Sequence, residues 1–322
     1  MAVDVTSFSA MARAEFMNGI MGAYDKPYPA AYESFTTNIS STTKVETHTY
    51  MSNLPRLAEF KGYSPGVRLA DKEYTLANKE YRIGPVNVRK TDLDDDQVGG
   101  YMKTIANLPK QAQKDIGFRV MAHLAAGTTN LCFDGTAMFA DSHTFGSGDN
   151  LDTFNGAAND AATHKIIALI TDNSAVKPVI FQDRESLSGL QTDADTPQAA
   201  KLKEYEYWAD CRFGLGYGYW WDAYHVTITD TPTVEECYQI IRQIINGFRT
   251  FTLPKGKDTD DALYVHESWE PSSSSLVLCC NLKLGEILKT AVNITQYVTS
   301  TGNVDNVYKN VATVVPTSAL GA

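Results

Sequence analysis

From Lys72 to Val88 apolar and polar positions alternate. Tyr74 and Leu76 mark one run; Tyr81 and Ile83, then Val86 and Val88, mark the next. A period of two predicts half-buried strands, here joined by a turn at Ala77-Asn78-Lys79-Glu80. Gly84-Pro85 interrupts the second run, as a bulge or an edge position does. Two strands alone bury too little surface to be stable in water, so this ribbon is expected to lie on something else, in the same chain or on a neighbour. Further on the period becomes helical. Val98, Tyr101, Met102, Ile105 and Leu108 share one face, and Ile116, Val120, Met121 and Leu124 continue it. Asp94 with Gln97 reads as a capping box at the start of one long helix. Pro109 reads as a kink or restart, and Gly127 as the stop.

The remaining pattern is mixed. Met11 to Tyr24 places Ala12, Phe16 and Ile20 at helical spacing, and the prolines at 27 and 29 force an extended run after it. This helix either docks on its own domain or reaches a neighbouring subunit. Thr36 to Thr49 is Ser/Thr-rich and reads as a link. Residues 131–145 read as strand-turn-strand around Asp134-Gly135, and 146–160 as a polar loop. Lys177–Arg184 begins a strand. Tyr205 to Val226 is aromatic, with Gly214, Gly216 and Gly218 alternating through it. Thr233-x-x-Glu236 caps a helix with Val234, Cys237, Tyr238, Ile241, Ile244, Ile245 and Phe248 on one face. Strands at 263–265 and 276–280, a short helix with Leu284, Ile287, Leu288 and Ala291, and a strand within 308–320 complete an α/β second half.

Composition narrows the chemistry. The chain has 322 residues, enough for about two domains, and a formal net charge of −10. An acidic protein is a poor candidate for wrapping nucleic acid by phosphate neutralisation. Five cysteines without paired spacing predict neither a disulfide framework nor a zinc site, so all five are expected to be reduced. The start lacks a basic and apolar leader, and no window reaches the length of a membrane span, so neither secretion nor membrane insertion is expected. Asp141 and His143 invite a catalytic reading, but no nucleophile motif accompanies them. They are expected to be structural hairpin residues. Asp149, Asp152 and Asp160 lack the spacing of a calcium loop. The alternating glycines lack the context of a dinucleotide fingerprint. They fit strands on which backbones or rings approach closely. No cofactor, metal or catalytic residue is expected.

Three stretches together resemble the Mu-like gpT family of phage major head proteins. They are Leu54-Pro55-Arg56-Leu57-Ala58-Glu59-Phe60-Lys61-Gly62, Asp94-Asp95-Asp96, and Phe133-Asp134-Gly135-Thr136-Ala137-Met138-Phe139-Ala140-Asp141-Ser142-His143. The resemblance implies an α+β chain of the Hong Kong 97-type capsid fold. It implies an N-terminal arm at 1–48, an extended β-hairpin loop at 49–92 and a peripheral domain with a long spine helix at 93–161. An axial α/β domain at 162–300 and a return strand at 301–322 would follow. The segments Lys177–Arg184 and Trp208–Tyr224 resemble ones that lie near the C-terminus in the family, so the domain of residues 178–232 is left open. The implied function is the major capsid protein of a tailed bacteriophage, assembling in the host cytoplasm into an icosahedral virion head around double-stranded DNA. Its partners would be itself in hexamers and pentamers, with a cement or decoration protein, portal and scaffold, and no membrane. Phe16, Ile20, Leu54, Arg56, Tyr74, Leu76, Tyr81 and Ile83 are the expected intersubunit contacts. Lys72, Asn78 and Lys79 lie in the loop without a motif for covalent crosslinking. The competing readings are an aromatic-rich ligand-binding module using 205–224 and a hydrolase using Asp141, His143 or His266.

Overall fold

The computed structural model describes residues 28–51, 71–95, 100–191, 201–253, 263–299 and 302–321. Its framework is two sheets. The first has four strands in the order β1-β7-β8-β4: β1 (Thr36–Ser40), β7 (Val179–Gln191), β8 (Glu204–Tyr217) and β4 (Lys79–Arg89). β1 runs parallel to β7, and the other pairs are antiparallel. The second has five strands in the order β13-β10-β6-β9-β5: β13 (Thr313–Thr317), β10 (Leu276–Asn281), β6 (Thr163–Ile170), β9 (Ala223–Thr229) and β5 (Leu151–Asn155). Two antiparallel pairs stand outside these sheets. They are β2 (Val45–Met51) with β3 (Asp71–Ala77), and β11 (Gln296–Thr299) with β12 (Gly302–Asp305).

Helices cover the sheets. The segment expected to be one long helix is divided into α1 (Lys90–Asp94), α2 (Gly100–Ala106) and α3 (Leu108–Ala125). Asp94 therefore ends a short helix and does not cap a long one; Gln97 and Val98 lie outside the described residues. Pro109 sits in the first turn of α3, where its missing N–H would have had no partner in any case. α3 packs on β7 and β8 through Ala112, Ile116, Val120, Met121 and Leu124. α4 (Val234–Thr250) has the expected capping box, with Thr233 and Glu236 bonded reciprocally. Of its six buried residues, Cys237, Ile241, Ile244, Ile245 and Phe248 belong to the expected stripe and Ile240 is added, while Val234 and Tyr238 are half-buried; each buried apolar side chain gains about 1.5–3 kcal/mol. α5 (Leu282–Asn293) packs on α4 and on β13.

The expected ribbon is corrected. β3 and β4 do not pair with each other: β3 pairs with β2, from Val45↔Ala77 to Met51↔Asp71, and β4 pairs with β8. Alternation reported two real strands but could not report their partners. Gly84-Pro85 does make a bulge on the edge strand β4, where the register shifts between Ile83 and Val86. Within the stretch expected as an arm over 1–48, β1 belongs to the four-stranded sheet, and residues 1–27 lie outside the described residues. Residues 131–145 form loops with one bridge, Leu131↔Ala137, and 263–265 contributes one bridge, Thr252↔Tyr264.

Candidate assembly interface

The β2–β3 ribbon has two unlike faces. Val45, Thr47, Thr49 and Met51 of β2, with Glu73 and Thr75 of β3, face solvent, and Met51 is 55% exposed. His48 and Tyr50 of β2, with Tyr74 and Leu76 of β3, face the subunit. Glycines on β8 make this seat possible. A Cβ at Gly216 would stand 2.5 Å from Leu76, and one at Gly214 would stand 3.0 Å from Asn78 Oδ1. Gly214 and Gly216 are thus the track on which the ribbon lies, while Gly218 admits the Lys177 carbonyl. α3 covers the opposite face of β8, where His123 stacks on Tyr217 at 4.3 Å.

Polar contacts fix the ribbon's register on this track. The Tyr50 hydroxyl donates to the Tyr217 carbonyl at 2.8 Å, and the ring stacks on Phe133 at 4.2 Å. His48 Nε2 is 2.9 Å from Gln182 Oε1. Asn78, where the chain leaves the ribbon for β4, holds the junction together. Its Nδ2 donates to Ser41 Oγ at 2.7 Å and to the Thr43 carbonyl at 2.8 Å, and its Oδ1 accepts from Gln182 Nε2 at 2.8 Å. These positioning residues escaped the sequence reading because their partners lie about 35–170 positions away; the glycine alternation was the one local signal. Burial pushes the Tyr50 hydroxyl far above the usual tyrosine range, so it remains a donor.

The expected contact residues separate into three groups. Phe16, Ile20, Leu54 and Arg56 lie outside the described residues. Leu76 is buried at 4% exposure against its own subunit. Tyr74, Tyr81 and Ile83 are half-buried against the same core; Tyr81 stacks on Phe213 at 4.4 Å and lies under the Arg119 guanidinium at 4.5 Å. The edge strand β4 carries charge: Arg82 pairs with Asp210 at 3.0 Å, and Arg212 reaches Glu80 and Glu185 at 3.3 Å. Such charge guards an open edge against indiscriminate strand pairing.

The candidate catalytic residues sit in separate surroundings. His143 is bonded to Asp134, at 2.8 Å, and Asp141 is exposed. Asp134 also accepts from Thr136 N and Oγ and from Thr144 N. Burial pushes its carboxyl up, but the hydrogen bonds from His143 and Thr136 together outweigh this and hold it well below the usual carboxylate range. The His143 ring is sandwiched on Trp220 at 3.9 Å, and its Nε2 meets Asn150 Oδ1 at 3.2 Å. Asn150 Nδ2 donates onward to the carbonyls of Met138, Trp220 and Ala223. The network closes the 131–150 loop around its own polar atoms. His266 is buried, bonded to the Trp221 carbonyl at 2.8 Å. Tyr207, Tyr217 and Trp220 are fully buried and offer no stacking platform. Among the described residues no cluster of His, Cys, Asp and Glu could hold a metal, and all five cysteines are free and buried. No described helix is long and apolar enough to cross a membrane.

Residues 5–250 match the family described as Mu-like prophage major head subunit gpT. The chain is similar to the Mu-like prophage FluMu major head subunit of Haemophilus influenzae, 29% identical over 62% of this chain and 66% of that protein, just under two thirds of its length. It is similar to the major capsid protein of Escherichia phage Mu, 26% identical over 65% of this chain and 68% of that one. Among solved structures it resembles the procapsid of bacteriophage JBD30, with a TM-score of 0.67 and 25% identity over 99% of this chain and 100% of that one.

Proposed function

The chain belongs to the Mu-like gpT family of phage major head subunits, and from that premise we propose that it is the major capsid protein of a tailed phage, building an icosahedral head from copies of itself. The observation that carries this reading is the family match over residues 5–250, together with a Hong Kong 97-type fold shared with a phage procapsid along nearly the whole chain. The function is geometric. The four-stranded sheet with α3 serves as the peripheral layer, and the five-stranded sheet with α4 and α5 as the axial domain that meets its copies at ring centres. In this proposed division β7 and β8 join the peripheral layer and β9 the axial one.

The β2–β3 ribbon is the base of the extended loop. Its strands flank residues 52–70, which include the expected contacts Leu54 and Arg56 and lie outside the described residues. The outer face at Val45 and Met51 contributes apolar contact there. The net charge of −10 suits a wall that does not adhere to enclosed DNA. Decoration protein, portal and scaffold are the further partners of such a head.

Purified protein, taken through sedimentation and negative-stain microscopy, is expected to show closed particles or the rings that precede them. A monomer that stays monomeric at high concentration, with and without co-expressed phage head proteins, would sink the reading.

A further inference from the structure

Residues 171–178 lead from β6 to β7, and residues 218–222 lead from β8 to β9, so both segments pass between the two sheets. They are joined at each end. Toward the four-stranded sheet, Gly218 N donates to the Pro178 carbonyl at 2.8 Å. Toward the five-stranded sheet, Asn173 Nδ2 donates to Asp222 Oδ1 at 3.2 Å, and Ser174 stands beside the same carboxyl. A third passage, from α3 to β5, is fixed to the same place by a neutral amide. Asn150 Nδ2 donates to the Trp220 and Ala223 carbonyls at 3.1 Å. That amide does not titrate, whereas the Asp222 carboxyl does.

Asp222 is 1% exposed. His266 faces it with Nε2 at 3.8 Å from Oδ1, but this N–H is already given to the Trp221 carbonyl at 2.8 Å. Asp222 Oδ2 and His266 Nδ1 are buried, and among the described residues neither has a hydrogen-bond partner. The other titratable groups facing the carboxyl are Asp172, a like charge on the 171–178 segment, and Tyr219 on its own segment. Among the described residues no lysine or arginine pairs with it. A carboxylate here would be dry, with one bare oxygen and a like charge nearby. Burial above all, with Asp172 adding to it, raises the group to about 7 against Ser174 and Asn173. Burial lowers His266 to about 4, so the imidazole is neutral at that pH and supplies no countercharge.

We propose that Asp222 is a proton-controlled clasp on the passage between the sheets: as the neutral acid it holds the 171–178 and 218–222 segments together, and as the carboxylate it draws in water and loosens them. Opening exposes the carboxyl to water, where its ordinary value is about 3.9, so opening releases a proton and becomes easier as pH rises through about 7. The cores of the two sheets do not titrate with it, so the clasp sets the mobility of the passage and not the fold of either sheet.

The test is hydrogen exchange of the full-length protein followed by mass spectrometry at pH of about 6 to 8.5, corrected for the intrinsic pH dependence of exchange. Protection of peptides covering 171–178 and 218–222 is expected to fall at least about tenfold across that range, while the buried stripe of α3 from Ile116 to Leu124 holds. Asp222→Asn keeps the shape of the neutral acid and is expected to flatten the profile at the protected level. Asn173→Ala removes a bond that favours the carboxylate and is expected to move the step to higher pH. A parent whose two segments show no step would overturn the proposal without any variant. A step that survives in Asp222→Asn, or one that stays in place or moves to lower pH in Asn173→Ala, would also overturn it.

Discussion

In the five-stranded sheet every residue of β10, and Ile166 to Ile170 of β6, is buried. In the four-stranded sheet β8 alternates between buried and half-buried positions, and most of β4 is exposed or half-buried. The first pattern needs cover on both faces of its central strands, so it belongs to a closed core. The second leaves an edge, a charged surface and a ribbon directed outward. One half of the molecule satisfies itself, while the other is built with surface to spare. A subunit that must keep its shape and still join others gains from this division.

The largest expected effect tests where the ribbon belongs. Leu76→Asp sets a charge between the ribbon and Gly216, at a position 4% exposed, and should destabilise the subunit by about 3–5 kcal/mol. Urea unfolding measures it. Loss of assembly with unchanged stability would return Leu76 to the interface and erase the contrast.

Next comes the junction. Asn78→Ala removes three side-chain hydrogen bonds and leaves Gln182 without one partner, costing about 1–3 kcal/mol. The same unfolding curve reports it, and faster proteolysis within residues 45–77 should accompany it.

The buried titratable groups give a pH signature. Burial pushes His123, His225 and His266 down to about 4. Their folded pKa lies below the unfolded value, so this stability is full above pH of about 6.5 and is lost as pH falls toward 4. Asp222 is the converse. Burial raises its carboxyl to about 7, against hydrogen bonds from Ser174 and Asn173. Its contribution is full below pH of about 4 and is lost as pH rises through 7. Asp222→Asn should therefore gain on the order of 2 kcal/mol at pH 8 and little at pH 4.5. Equal gains at both values would remove the titration argument.

The smallest effect on the subunit is expected from Val45→Asp with Met51→Asp on the ribbon's outer face, within about 0.5 kcal/mol of the parent. Particle yield should nonetheless fall sharply. Normal particles would show that this face meets solvent in the shell.

Helical period, capping and buried runs were legible along the chain because their causes are local. The α4 stripe with its Thr233–Glu236 box, the α3 stripe from Ile116 to Leu124, the restart at Pro109 and the bulge at Gly84-Pro85 each depend on residues a few positions apart. The glycine alternation on β8 was legible as a place of close approach, though not what approaches. Pairing was decided elsewhere. β3 could have met β4 across a two-residue turn, yet it pairs with β2. The buried amide of Asn78, the seats at Gly214 and Gly216 and the Tyr50–Phe133 stack all reward that choice. The partner of His143 was likewise Asp134, nine residues back, and not Asp141 two residues away, because only the folded loop brings the imidazole onto Trp220 and beside that carboxylate. Alternation states which side of a strand is apolar. Which surface receives that side is a contest among distant contacts, and that contest is settled only in the packed tertiary structure.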